Sequence, residues 1–266
     1  MPTSTSNLPG PATRSGFLSR CAAVALAIGM SAVVSGAVHA AEAGPAAAPV
    51  HPVYPTRIPA SFSLLYQMQR GGIGGSGEFG WTRTGDTYES HLKGTVAGFS
   101  VLNWHSSGGF DGSGVAPARY VERRIGKSDR EAVFRRDAAV VDFSGVSPDV
   151  PLFPGTQDRL SWLVQLPAIV AADSAKARTG ARISMHVVGT RGHGETWTFV
   201  SAGSESVKTP AGTFRAVKLT RDSRKEEDTR ADVWLDPGRQ YLPVRIRLSV
   251  PPFDAPLELN LADGGR

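Results

Sequence analysis

Apolar and polar residues alternate with a period of two along much of this chain. Phe62, Leu64, Tyr66 and Met68 stand between Ser63, Gln67 and Gln69. Tyr88, Ser90 and Leu92 are set against Glu89, His91 and Lys93, and Val244, Ile246 and Leu248 against Arg245, Arg247 and Ser249. Ile183, Met185 and Val187, then Trp197 and Phe199, add two more such faces. Successive side chains of a strand point to opposite faces, so each run predicts a strand with one face in a core and one in water. Turn-forming residues separate the runs: Gly85-Asp86, Gly94, Gly108-Gly109, Gly126, Thr209-Pro210-Ala211-Gly212 and Asp236-Pro237-Gly238. One segment keeps a different rhythm. Leu160, Leu163, Val164, Pro167 and Val170 fall near helical spacing, with Thr156 as the expected cap and Asp158 in the expected first turn. Pro167 lacks a backbone donor and is expected to kink or restart that helix. The pattern predicts a mainly β fold: a curved antiparallel meander sheet, a half-barrel or open barrel, with one helix on its apolar face.

The N-terminal part has neither period. Arg14 and Arg20 precede an uncharged apolar run over residues 21–38, which ends in small residues at Val38-His39-Ala40. Basic, apolar and small-residue zones in that order are the layout of a secretory signal peptide, here residues 1–40. Residues 41–60 carry Pro45, Pro49, Pro52, Pro55 and Pro59 among alanines and read as a disordered, extended tether. A single β domain is expected over residues 61–262. The expected location is the periplasm, with no transmembrane segment after processing. N-terminal sequencing of the exported protein is expected to begin near Ala41; a periplasmic chain beginning at Met1 or Pro2 would contradict this reading.

The only cysteine, Cys21, lies in the leader, so the mature chain is expected to contain no disulfide, thiol nucleophile or thiolate metal site. The formal charge of +5 counts Arg14 and Arg20, and the surplus left after processing is small. Arg119, Arg123, Arg124, Arg130, Arg135 and Arg136 alternate with Glu122, Asp129, Glu131 and Asp137, which reads as a solvated mixed-charge surface. The specific alternative is contact with anionic lipid headgroups; export argues against nucleic acid.

Residues 72–77 match G-x-G-x-x-G, but a phosphate cradle needs a buried strand before the glycines and a helix after them. The neighbours here read as strands, so a flexible hairpin loop is expected. His51, His91, His105, His186 and His193 show no ligand spacing, and His193-Gly194-Glu195 reads as a hairpin tip, so no metal site is expected. Asn103-Trp104-His105-Ser106-Ser107 places hydroxyls beside an imidazole, but adjacent strand residues face opposite ways. No nucleophile, base and orienting group come together in the sequence, and the chain is expected to be neither an enzyme nor a cofactor binder.

Several segments resemble a family of exported Gram-negative proteins, the domain of unknown function DUF3108 family. They are Gly114-Val115-Ala116-Pro117-Ala118-Arg119-Tyr120, then Leu152-Phe153-Pro154-Gly155-Thr156-Gln157-Asp158-Arg159-Leu160-Ser161, Thr209-Pro210-Ala211-Gly212-Thr213-Phe214, Val233-Trp234-Leu235 and Tyr241-Leu242-Pro243-Val244. The resemblance implies export and β architecture and carries no activity. A looser similarity, through the Asp-Pro and Leu-Pro-Val hairpin, is to LolA-like and LolB-like lipoprotein-carrier half-barrels, whose curved sheets hold acyl chains.

The functional expectation is a non-enzymatic periplasmic protein with an apolar cleft for a lipid or other envelope component. The candidate cleft residues are Phe62, Leu64, Tyr66, Phe99, Trp197, Phe199, Val244 and Ile246, covered by Leu160, Trp162 and Leu163 of the helix. The same residues suit a filled core. The alternative is an interaction module that docks an envelope protein through a strand edge or the arginine-rich strands.

Overall fold

A computed structural model describes residues 51–124, 126–143, 147–223, 228–249 and 255–264. The expected leader and residues 41–50 of the expected tether lie outside this set.

Fifteen strands pair into one sheet among the described residues. The first arm holds β1 (Phe62–Arg70), β2 (Ile73–Thr84), β3 (Thr87–Val96), β4 (Phe99–Asp111), β5 (Gly114–Arg124), β6 (Lys127–Arg135), β7 (Val140–Asp142) and β8 (Val150–Pro151). The second holds β9 (Gln157–Asp158), β10 (Arg182–Val188), β11 (Gly194–Thr209), β12 (Gly212–Arg221), β13 (Arg230–Asp236), β14 (Leu242–Ser249) and β15 (Leu257–Gly264). Within each arm, consecutive strands are neighbours, and the arms join where β15 pairs with β1. All pairs are antiparallel except β9 with β10, between which the chain crosses through a helix, α1 (Trp162–Ala172). A parallel neighbour requires such a crossover. The sheet is curved and open, because β8 and β9 do not pair with each other. Its β9 end instead turns onto β5, where the Gln157 amide donates to the Val115 carbonyl at 2.8 Å.

The alternation seen in the sequence is the burial pattern of the strands. In β1, Phe62, Leu64, Tyr66 and Met68 are buried and their neighbours exposed. In β14, Val244, Ile246 and Leu248 are buried and Arg247 is exposed. Arg245, expected on the wet face, is half-buried: it donates to Asn260 Oδ1 at 2.5 Å and to the Lys208 carbonyl at 2.7 Å, and lies over the Trp234 ring. The hairpin signals hold at Thr209-Pro210-Ala211-Gly212, between β11 and β12, and at Asp236-Pro237-Gly238, between β13 and β14. Gly71 and Gly72, with φ of 54° and 83°, form the β1–β2 turn. Gly74, Gly75 and Gly77, expected in a flexible loop, are instead part of β2, and a further strand follows instead of a helix.

The helix begins five residues later than the sequence suggested, with Ser161 instead of Thr156 at its cap position. Gln157 and Asp158 are extended and pair with Val187 and Val188. Thr156 Oγ1 accepts from the Phe153 amide instead of capping. Asp158 forms the turn that leads into the helix: its Oδ1 accepts from the amides of Leu160 and Ser161, both at 2.7 Å. A carboxylate that takes up amides just before the first turn does the work of a cap from outside the helix. The helix runs through Pro167 without interruption.

Every residue from Trp162 to Val170 is buried, so the helix is covered on all sides. The sheet covers one side. Residues 51–60, expected to be a tether, cover another: they have no ladder, as their prolines require, but they dock. The Arg57 amide donates to the Ala168 carbonyl at 2.9 Å, Trp81 Nε1 donates to the Pro59 carbonyl at 3.4 Å, and Tyr54 Oη accepts from the Ser184 amide at 3.0 Å. Tyr54 and Ile58 pack on the core. Composition predicts an extended segment; it does not reveal the apolar helix surface that fixes it. Gln165, the one polar residue between Trp162 and Ala172, accepts from the Val115 amide at 2.9 Å and donates to the Ser113 carbonyl at 2.6 Å, satisfying both ends of its amide. No described helix is long and apolar enough to cross a membrane.

Candidate functional site

The inward row of β1 runs Phe62, Leu64, Tyr66, Met68 and ends in Arg70. That of β14 runs Val244, Ile246, Leu248. The deep parts of these rows are closely packed. Phe62 meets Phe79 edge-on at 5.2 Å, Trp162 stacks on Phe199 at 5.1 Å, and Tyr66 Oη donates to the Pro243 carbonyl at 2.7 Å. Beyond Tyr66 and Ile246 the filling stops. A hollow of about 410 Å³ opens there, lined by Met68 and Arg70 of β1, Ile73 of β2 and Val96 of β3. Val101, Leu102 and Trp104 of β4, with Leu248 and Leu257, complete it. Among the described residues its lining is apolar except for Arg70, and its size is that of a small-molecule site.

The local sequence accounts for the hollow's walls. Gly94 in β3 is buried, and a methyl group there would lie 2.7 Å from the Met68 sulfur and 3.1 Å from Leu102 Cβ. The absence of a side chain at Gly94 lets both lining residues take their places. Ala97 and Gly98, with φ of 49° and 83°, make the tight β3–β4 turn at the rim. The rim is unusually apolar for an exposed surface: Ile73, Phe99 and Val101 are 62%, 72% and 55% exposed.

A second hollow of about 580 Å³ adjoins the first and shares Val101, Leu102 and Trp104 with it. Ser100, Asn103, Glu122 and Arg123 line the remainder. It lies where β4 parts from β5. Their ladder begins with Trp104 opposite Glu122, so among the described residues the stretch 99–103 pairs with β3 alone and leaves one backbone edge open.

Of the expected cleft residues, Phe62, Leu64, Tyr66, Trp197, Phe199, Val244 and Ile246 belong to one core cluster, together with Leu160, Trp162 and Leu163 of the cover. The hollow lies one rung further along the same rows and is lined by other residues. Phe99 does not join that cluster: it is exposed beside the β3–β4 turn. The inward row of β4 is Leu102, Trp104 and Ser106; a bulge at the Gly94/Thr95 register shift then puts Phe99 opposite Val96 at the end of the strand, where its ring is exposed. Arg70 was missed, although one more step of the β1 alternation places it on the inner face.

Two buried polar groups were also missed. The first is the network around Asp158. Ser106 Oγ donates to its Oδ2 at 2.5 Å, and the Tyr88 hydroxyl lies 2.9 Å from Ser106. Burial pushes the Asp158 carboxyl up to about 6, against the hydrogen bonds from Ser106, Ser161 and Leu160 that lower it. Ser106 is fully buried, and both oxygens of Asp158 are engaged, so the geometry is that of a structural clamp. The second group surrounds Glu195. It accepts from Arg221 Nη2 at 2.7 Å and from Trp197 Nε1 at 2.9 Å, with Arg159 at 3.6 Å and both guanidinium groups near the Trp197 ring. Nothing in the local sequence signals this cluster, whose members come from three distant segments.

His193-Gly194-Glu195 does lie at the β10–β11 connection, but its glutamate is committed to that cluster. His186 packs against His51 and Phe153 at ring distances of 5.0 Å, and burial lowers its pKa to about 4. Among the described residues there is no group of three or more His, Cys, Asp or Glu arranged to hold a metal. Several arginines of the mixed-charge segment are paired: Arg119 with Glu131 at 2.6 Å, Arg135 with Asp142 at 2.8 Å and Arg123 with Asp129 at 3.8 Å.

The family model described as "Protein of unknown function (DUF3108)" matches residues 65–254. No curated protein matches the sequence. A similar solved structure is a β-barrel-like protein of domain of unknown function DUF1849 from Brucella abortus, with 12% identity and a TM-score of 0.53. The likeness covers 79% of this chain and 98% of that one, and it concerns the fold alone.

Proposed function

This chain belongs to the DUF3108 family, whose description names no activity, and we propose that it is a non-enzymatic periplasmic protein that binds a single apolar chain of a lipid in the mouth of its curved sheet. One observation carries the reading: an apolar hollow of about 410 Å³ opens at a rim of exposed Ile73, Phe99 and Val101. Exposed apolar residues gathered at an apolar opening mark a place where apolar surface is exchanged for ligand or membrane. The leader layout of residues 1–40 supports the location, and an open antiparallel sheet with a hollow mouth suits the ligand class.

The test is uptake of a neutral fluorescent acyl probe by the exported protein. The wild type is expected to bind it saturably. Leu102→Trp places an indole in the hollow and is expected to weaken binding at least tenfold at a near-native melting temperature, because vacant space absorbs the added volume. Leu64→Trp instead overpacks a filled site and is expected to cost about 1–3 kcal/mol. A wild type with no saturable uptake would overturn the reading.

The open edge of β4 favours a second reading, the docking of an extended segment of an envelope protein alongside residues 99–103. In that case, slowed amide exchange at those residues in the presence of envelope extract, without probe uptake, is the expected result.

A further inference from the structure

We infer that the bound lipid carries a zwitterionic headgroup, and that this headgroup lies in the hollow of about 580 Å³ beside the apolar one, its cation on Glu122 and its anion on Arg123. The inference rests on the apolar-chain reading and deepens it by naming the ligand class. The two hollows meet at Val101, Leu102 and Trp104, which line both. Their linings differ in kind. The 410 Å³ hollow is apolar among the described residues except for Arg70, which is already engaged with another group. The adjoining hollow adds an acid, a base, an amide and a hydroxyl: Glu122, Arg123, Asn103 and Ser100. An apolar compartment that opens onto a polar one suits an amphiphile, with the tail in the first and the head in the second. Trp104 stands at the junction, and its apolar ring with a single N–H is a side chain suited to such a boundary.

The polar compartment holds one charge of each sign. Successive residues of a strand face opposite ways. The β5–β6 ladder shifts register between Glu122 and Arg124, and there both Glu122 and Arg123 line one hollow. Ladder irregularities of this kind re-aim side chains. The two charges are not spent on each other. Glu122 Oε1 accepts from the Tyr120 hydroxyl at 3.1 Å, a neutral donor that leaves the carboxylate its charge. Arg123 Nε stands 3.8 Å from Asp129, too far for a hydrogen bond, so the guanidinium fork keeps donors that fit a phosphate. A simple anion would meet the Arg123 donors together with the Glu122 charge, and a simple cation the reverse. A headgroup that carries both charges finds a partner for each.

The test measures displacement of a neutral fluorescent acyl probe from the exported protein by four competitors with the same twelve-carbon chain, each below the concentration at which it forms micelles. They are dodecylphosphocholine, dodecyl phosphate, dodecyltrimethylammonium and dodecanol. The wild type is expected to bind dodecylphosphocholine first among the four and about tenfold more tightly than dodecanol, from two partly exposed charge contacts that each give a few-fold. Arg123→Gln is expected to weaken dodecylphosphocholine and dodecyl phosphate and to spare the ammonium. Glu122→Gln, which keeps an acceptor for Tyr120, is expected to weaken dodecylphosphocholine and the ammonium and to spare the phosphate. Neither is expected to change dodecanol affinity. Equal affinity of the wild type for all four competitors overturns the inference and leaves the apolar-chain reading standing. So does dodecyl phosphate or the ammonium binding as tightly as the zwitterion, or a preference for the zwitterion that survives both substitutions. Failure of the wild type to take up the probe or any competitor overturns both readings. Should either variant not fold, the ranking of the four competitors by the wild type decides.

Discussion

Trp162→Asp is expected to abolish cooperative folding. Trp162 is 1% exposed, stacked on Phe199 at 5.1 Å and tilted against Trp197 at 5.6 Å, at the first turn of a helix enclosed by the sheet and by residues 51–60. Removing a buried indole costs about 3–5 kcal/mol. A carboxylate left without a partner in the same place adds several more or must take up a proton. The sum is comparable to the roughly 5–15 kcal/mol that holds a domain together. Leu163→Asp is expected to behave alike, since Leu163 is also 1% exposed. Arg247→Ala is the proper contrast: Arg247 is exposed and loses only a cross-strand pair with Glu258, an effect of about half a kcal/mol. Arg245 would not serve, because it is tied to Asn260, Lys208 and Trp234. Urea midpoints are the measurement, and similar midpoints for Trp162→Asp and Arg247→Ala would take the helix out of the core.

These contrasts separate what local pattern encodes from what only the assembled fold decides. Alternation fixed the inward faces of β1, β3 and β14 because one side of each strand is wet and the other dry. Turn chemistry marked the β11–β12 and β13–β14 connections because proline and positive-φ positions are local demands. The helix start was misplaced because Asp158 satisfies amides from outside the helix while its own backbone pairs with β10, and nothing within a few residues reveals β10. The docking of residues 51–60 depends on the helix surface beneath them. Arg70 was legible: the β1 alternation reaches it if continued past Met68. The hollow was not, since the same apolar residue types line it and fill the core, and only packing distinguishes the two.

Asp158→Ala is expected to cost about 3 kcal/mol or more, and Asp158→Asn about 1 kcal/mol, because the alanine strands buried donors that asparagine still satisfies. The carboxylate serves the amides of Leu160 and Ser161 and the hydroxyl of Ser106. An asparagine keeps an oxygen for the two amides, and its NH₂ faces a Ser106 hydroxyl free to turn toward Tyr88. The pH dependence separates the two ionisable groups. Burial raises the folded-state pKa of Asp158 to about 6 from an ordinary 3.8, so the fold prefers its protonated form. Its contribution to stability is full below pH 3.8 and is lost as the pH rises through 6, by about 3 kcal/mol in all. His186 has the opposite sign. Its pKa is lowered to about 4 from 6.5, so its contribution is full above pH 6.5 and is lost as the pH falls toward 4. Between pH 4 and 6 the two slopes oppose each other in the wild type. Asp158→Asn is expected to remove one of them and leave stability that climbs with pH across that interval relative to the wild type. His186→Phe, which keeps an aromatic ring beside Phe153, is expected to leave stability that declines across it. Urea midpoints at pH 4, 5, 6 and 7 for the three proteins show the two divergences directly; parallel profiles would mean that neither burial shifts its group in the folded chain.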